Sequence, residues 1–179
     1  MNMITEVTTR LAGLKLSALQ ALDDVAAGAP LRDVLTELCL AAEQAADVEM
    51  LASVLLLDAN GRRLLEGAAP SLPAEYNAAI DGVEIGPAVG SCGTAAHYGE
   101  PVFVDDIKAD PLWADFRDLA LKHGLRACWS TPIKGEDGQL LGTFANYYRT
   151  PRHPRAQDYE AIALLAETAA KVITASRAA

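Results

Sequence analysis

The sequence is poor in the residues that usually mark a function. Cysteine is sparse and odd in number: Cys39, Cys92 and Cys128 stand at spacings that fit neither a disulfide framework nor a zinc site, which points to a reducing compartment and a cytoplasmic location. His97, His123 and His153 are scattered, no Cys/His spacing matches a metal site, and no metal is expected. No apolar run approaches the roughly 20 residues needed to cross a bilayer. The N-terminus lacks a signal peptide's basic start and cleavage site, so no membrane partner is expected. Basic residues are outnumbered, 15 against 24 acidic, for a formal net charge of −9. A nucleic-acid binder needs clustered Lys and Arg to neutralise phosphates, so nucleic acid is not an expected partner.

What is present is a chain of 179 residues, 51% hydrophobic, long enough for one well-buried core. Ile4, Val7, Leu11, Leu14, Ala18, Ala21 and Val25 recur at steps of three and four, the spacing of a coiled-coil seam. Residues 1–28 are therefore expected to be a coiled-coil-like helix, with the main domain over 29–179. Gly28 is a stop and Pro30 opens a second helix bearing Leu31, Leu35, Leu38 and Ala42 on one face. Two apolar runs flank Asn60-Gly61, and two more flank Asp137-Gly138; both read as hairpins. A short helix is expected over 73–80 and a longer amphipathic one over 112–123. Ile162, Leu165, Ala169 and Val172 place a last helix at the C-terminal end. Tight turns imply antiparallel pairing, so the class is α+β, with helices laid on a sheet.

Of two tryptophans, five tyrosines and three phenylalanines, only Tyr76 falls outside the segment from Tyr98 to Tyr159. The plain reading is a core whose bulky residues sit in the second half. The sharper reading is a pocket lined by Trp113, Phe116, Trp129 and either Phe144 or Tyr147, because ligand cavities favour aromatic walls with a few polar anchors.

Three stretches carry a resemblance. Gly90-Ser91-Cys92-Gly93-Thr94-Ala95-Ala96 precedes Val102 to Ile107; Asp110-Pro111-Leu112-Trp113 leads into Trp129-Ser130-Thr131-Pro132-Ile133; and Gly138 to Phe144 reads Gly-Gln-Leu-Leu-Gly-Thr-Phe. This order resembles the GAF domain, a small-molecule sensing module, and most of all the bacterial subgroup found beside histidine kinases and cyclic-di-nucleotide enzymes. The resemblance implies a PAS-like sheet of about six antiparallel strands, with the terminal helices on one face and a ligand pocket on the other. The pocket would be roofed by residues 90–96 and 110–123 and floored by the strands around Trp129 and Asn146.

The expected ligand-binding residues are Ser91, Cys92, Thr94, Trp113, Phe116, Arg117, Trp129 and Asn146. Each has a plainer reading. Ser91 and Thr94 suit a helix start as caps whether or not anything binds. Arg117, four residues beyond Trp113, is either a fork for an anion or a surface arginine paired with Asp115 or Asp118. On the strand that follows, either Trp129 or Cys128 points into the pocket but not both, and Trp129 is the expectation. Cys92, at a helix start, is either an acidified thiol or a small core residue. A GAF-related enzyme, the free methionine sulfoxide reductase, uses cysteines in this region, which supplies an alternative: a thiol-dependent reductase acting through Cys92. Bilin-binding relatives attach their chromophore through a Cys-His pair, and Cys128-Trp129 lacks that histidine, so no cofactor is named.

The leading expectation is a non-catalytic sensory or regulatory module. It would bind a small intracellular ligand and signal through a helical homodimer interface to a signalling-protein partner. The dimer would be parallel, built on the two terminal seams; the other reading packs those seams on each other within one chain. A third reading is a ligand-free dimerisation or interaction scaffold. Met1 is read as a natural start, and with no kinase, cyclase or DNA-binding segment in the chain any output passes through a partner.

Overall fold

The alternation along the central segments becomes a single curled antiparallel sheet in the computed structural model, which describes residues 3–178. Two helices come first, α1 (Met3–Ala26) and α2 (Leu31–Ala45). A hairpin of β1 (Met50–Leu57) and β2 (Arg63–Ala68) follows, then α3 (Ala74–Ile80), β3 (Val83–Glu84), α4 (Gly90–Tyr98) and β4 (Val102–Val104). A 3-10 turn (Pro111–Trp113) and α5 (Arg117–Lys122) lead into the hairpin of β5 (Ala127–Lys134) and β6 (Leu140–Tyr148), and α6 (Ala156–Ala178) closes the chain. Strand order is β3-β2-β1-β6-β5-β4, with every neighbouring pair antiparallel.

Side chains alternate between two separate cores. Ala52 and Val54 of β1, Ala127, Trp129 and Ile133 of β5, and Phe144 and Tyr148 of β6 pack with α1, α2 and α6. Leu51 and Leu55, Cys128, Ala145 and Tyr147 pack instead with Tyr76 and Ile80 of α3, Cys92 and Ala96 of α4, and Trp113. Long helices therefore cover one face and short, turn-linked elements the other.

The N-terminal seam finds its partner inside the chain. Leu14, Ala18, Ala21 and Val25 are buried where α1 packs against α6 and α2; the side chains of Ile4 and Val7 lie outside the described residues. Ile162, Leu165, Ala169 and Val172 of α6 are buried as well. Small residues on both helices permit a close approach, so the seams expected to join two copies are spent within one. What α1 leaves outside is Leu16 and Leu19, 69% and 59% exposed.

The single helix expected over 112–123 is broken. The Asp110 carboxylate accepts the Leu112 backbone N–H at 2.9 Å and caps the 3-10 turn. Phe116, at φ −115° and ψ −4°, then stands between this turn and α5. Trp113, Phe116 and Arg117 thus do not share one helical face.

Candidate functional site

The roof of the second core begins with two glycines whose missing side chains matter. Gly90 opens α4 at φ +56°, a backbone region that glycine enters freely. A Cβ there would stand 3.5 Å from the Trp113 ring, so the indole lies directly over the start of the helix. A Cβ on Gly93 would come within 2.6 Å of Val89. The Ser91 hydroxyl then ties three elements together: it donates to the Cys128 carbonyl at 2.8 Å and accepts from Trp113 Nε1 at 3.1 Å. Thr94 Oγ1 accepts the Val89 N–H at 3.0 Å. Both hydroxyls hold the roof together, and Ser91 stands inside the first turn of α4, whose cap position is Val89.

Under this roof lies a knot of polar atoms on an otherwise apolar floor. Cys92 Sγ is 3.9 Å from the Tyr147 hydroxyl, to which the Tyr76 hydroxyl donates at 3.4 Å, with the two tyrosine rings edge to face at 5.8 Å. The Ser130 and Thr143 hydroxyls are fully buried and have no hydrogen-bond partner among the described residues; both favour charge on the nearby Cys92 sulfur. The neighbouring Cys128 side chain favours charge on the Cys92 sulfur against the cost of burial, and with Ser130, Tyr147 and Thr143 lowers the Cys92 pKa to about 7. Burial pushes Cys128, Tyr147 and Tyr76 the other way, well above their ordinary values. One sulfur is thus set up to carry charge near neutrality while Cys128, Tyr147 and Tyr76 stay protonated around it.

Beside this knot is a cavity of about 30 Å³, lined by Leu55, Tyr76, Ile80, Cys92, Trp113, Phe116 and Tyr147 among others, with no charged side chain. Its volume suits roughly two water molecules. Trp113 is only 3% exposed and lines the cavity with Tyr76, Phe116 and Tyr147, so aromatic bulk takes up much of the space expected for a ligand.

Ser91, Cys92, Trp113 and Phe116 meet at this cavity, and Thr94 braces it. Three expected site residues stand elsewhere. Arg117 turns away, its Nε and Nη2 donating to the carbonyls of Ile107 (3.3 Å) and Asp110 (2.9 Å). It neither offers a fork to an anion nor pairs with Asp115 or Asp118; it holds the loop before α5. Trp129 and Asn146 belong to the opposite face, because the strand alternation that sends Cys128 and Tyr147 into the second core sends their neighbours into the first. The expectation that Trp129 enters the pocket is corrected: it faces the helix-covered core, and Cys128 faces the roofed one. Trp129 Nε1 donates to the Arg152 carbonyl at 3.1 Å. Sequence reasoning also missed Tyr76, Ser130 and Thr143. The period-two pattern of β5 had placed Ser130 with Cys128, but the preference for an indole in a pocket selected the wrong face.

The family model described as the GAF domain matches residues 28–174. The chain belongs to the GAF domain family. A curated relative, the methyl sulfide methyltransferase-associated sensor of Methanosarcina acetivorans, is 41% identical over 149 residues. The match covers 83% of this chain but only 15% of the relative, so the chain spans about a seventh of that sensor's length. Two solved structures share the fold. A putative GAF sensor protein from Burkholderia vietnamiensis superposes with TM-score 0.73 at 19% identity, covering 94% of this chain and 98% of that one. The free methionine-R-sulfoxide reductase of Neisseria meningitidis, in complex with its substrate, gives 0.74 at 18%, covering 96% and 92%. At such identities the likeness concerns the GAF fold alone, with its curled six-stranded antiparallel sheet between helices.

Proposed function

We propose that this GAF domain is a sensory module without catalysis of its own, taking a small intracellular molecule beneath the roof of α4 and Trp113. The observation that carries this reading is the roofed cavity itself, lined by short elements and closed by one indole whose N–H donates to Ser91. At about 30 Å³ it admits a metabolite only if Trp113 and Phe116 swing outward. Binding is then a shift from the closed roof to an open one, as large as the ligand's preference for the open state. The resemblance to a sensor over most of the chain supports the same reading. Signal would leave through α1 and α6, with Leu16 and Leu19 as the exposed apolar residues available to a second copy or a signalling partner.

A thermal-shift panel of nucleotides, amino acids and oxoacids tests the sensor reading. A true ligand at a hundred times its dissociation constant adds about 2.7 kcal/mol of stability. A panel without stabilisation, together with unchanged Trp113 fluorescence, favours the ligand-free scaffold. Light scattering at several concentrations tests the homodimer, and a monomer at high concentration refutes it.

The nearness of Cys128 to Cys92, both buried free thiols in the second core, supports a second reading, the thiol-dependent reductase. In that reaction the two thiols supply two electrons to a sulfoxide, which becomes a thioether. The oxygen leaves as water, and an external thiol reduces the resulting disulfide. Turnover of methionine sulfoxide with a thiol reductant, abolished by Cys92→Ser, would establish it over the sensor.

A further inference from the structure

A second cavity lies on the other side of the sheet and is larger than the roofed one, about 80 Å³ against about 30 Å³. It sits where α1, α2 and α6 converge over β1 and β6. Most of its wall is apolar, with Leu11 and Leu14 from α1, Met50 from β1 and Leu165 from α6. Asp47, Gln157 and Asp158 add polar groups to it, and one further polar side chain comes from the sheet. Asn146 is only 6% exposed, projects to this side of β6 and lines the cavity. Among the described residues its carboxamide has one partner, the Tyr148 hydroxyl. A carboxamide carries two donor hydrogens and an acceptor oxygen, most of which remain available here to a molecule in the cavity.

Two of the charges nearby, Asp47 and Asp158, are already paired. Asp47 is held by Arg152 at 2.9 Å and by Arg155, and Asp158 by Arg152 at 3.6 Å and by the Arg155 backbone N–H at 2.8 Å. Arg10 and Glu160 at the mouth are exposed and opposite in sign. An ionised guest would lose its hydration against exposed charges of both signs, which solvent screens. The volume admits roughly five water-sized spheres. We propose that this cavity is a binding site for a small neutral molecule, with an amide-like head that pairs with Asn146 and a short branched tail that lies against Leu11, Leu14 and Leu165. Its occupant touches the first and last helices at once, so a guest there biases their packing directly. The site stands independently of the roofed cavity.

Isobutyramide is the probe, with isobutyrate as its charged match, titrated into the full chain and followed by amide NMR. A guest of this size reaches a dissociation constant on the order of 10 mM. Isobutyramide is expected to shift the Asn146 side-chain NH₂ and the Leu11 and Leu165 amides saturably, with isobutyrate at least about tenfold weaker. Asn146→Leu is expected to abolish the titration, and Trp113→Phe to leave it unchanged. If Asn146→Leu does not fold, Ala161→Leu, which fills the same cavity from α6, takes its place. The proposal is overturned by the absence of saturable shifts up to roughly 100 mM, by equal binding of isobutyrate, by a titration that survives both filling substitutions, or by shifts confined to α3 and α4.

Discussion

On the helix-covered face Trp129 lies among Phe103, Tyr148 and the Arg152 guanidinium, its ring centroids 6.4 Å and 4.4 Å from the two aromatics, and its N–H goes to a backbone carbonyl. On the roofed face Trp113 lies over a glycine, and its N–H goes to a serine hydroxyl. Both indoles are buried, yet one is fixed by continuous helices and the other rides on a three-residue turn. Burial alone does not distinguish structural bulk from a gate. What surrounds the side chain, and how many long elements must move to release it, does.

The sharpest way to break this comparison is to truncate each indole. Trp129→Ala is expected to cost about 3–5 kcal/mol in urea unfolding, since it empties a site that α6 and β5 cannot collapse into. Trp113→Ala is expected to cost clearly less, because the roof can settle into the space. Equal losses would make the roof as much a core as the helix layer and remove the gate. A smaller effect is expected from Gly93→Ala. Its Cβ, 2.6 Å from Val89, forces the loop before α4 outward at a cost of about 1–3 kcal/mol. Hydrogen exchange should then show lost protection in α4 and none in α1 or α6; loss spread over both faces would mean that they unfold as one unit.

The two faces also differ in how far the sequence disclosed them. The hairpins at Asn60-Gly61 and Asp137-Gly138 and the seams of the terminal helices follow from local patterns, and the strands and helices form there. The seam's partner did not follow, because a step of three and four says that a face is apolar and not whose face meets it. The break at Phe116 was invisible for a related reason: Asp110 caps the preceding turn, while the residues of 112–123 keep an amphipathic spacing through the break. Ser91, Cys92, Trp113 and Phe116 were legible as neighbours through their motifs. Trp129 and Asn146 were not placed correctly, because a period of two divides residues into two faces without naming them. Tyr76 arrives from a helix far away in the chain, and nothing local marks it.

Cys92 sharpens the comparison chemically. Its pKa, lowered to about 7 from the ordinary 9.0, means that the native state gives up a proton the unfolded state keeps between those values. This contribution to stability is therefore present above pH 9, and is lost as pH falls through about 7. Cys92→Ser is expected to flatten the rise in urea midpoint from pH 7 to pH 9. In the native protein, alkylation by a small neutral reagent should titrate with a midpoint near 7, moving upward in Ser130→Ala and Thr143→Val. Cys39, buried under α2 on the other face, has its thiol pushed strongly upward by burial and should not react in the same range.

The smallest effects belong to the two arginines beside the roof, and they separate holding a loop from decorating a surface. Arg117, half-buried, donates to two carbonyls of the loop before α5. Arg117→Ala is expected to cost about 1 kcal/mol and to raise hydrogen exchange in residues 107–116. Arg126 makes a two-pronged contact with Asp106, at 3.0 Å and 3.1 Å, with both side chains 33% exposed, and solvent screens such a pair. Arg126→Ala should leave the unfolding midpoint within error while changing one titration. Burial raises the Asp106 carboxyl, but the Arg126 guanidinium and the Lys108 backbone N–H together outweigh it and hold the group below its ordinary 3.8. That contribution is present above the ordinary value and lost as pH falls through the lowered one. In Arg126→Ala the Asp106 titration followed by NMR should move upward. A large loss of stability in that variant would mean the strap over residues 105–110 is as integral as the helix layer, and the two faces would no longer differ in kind.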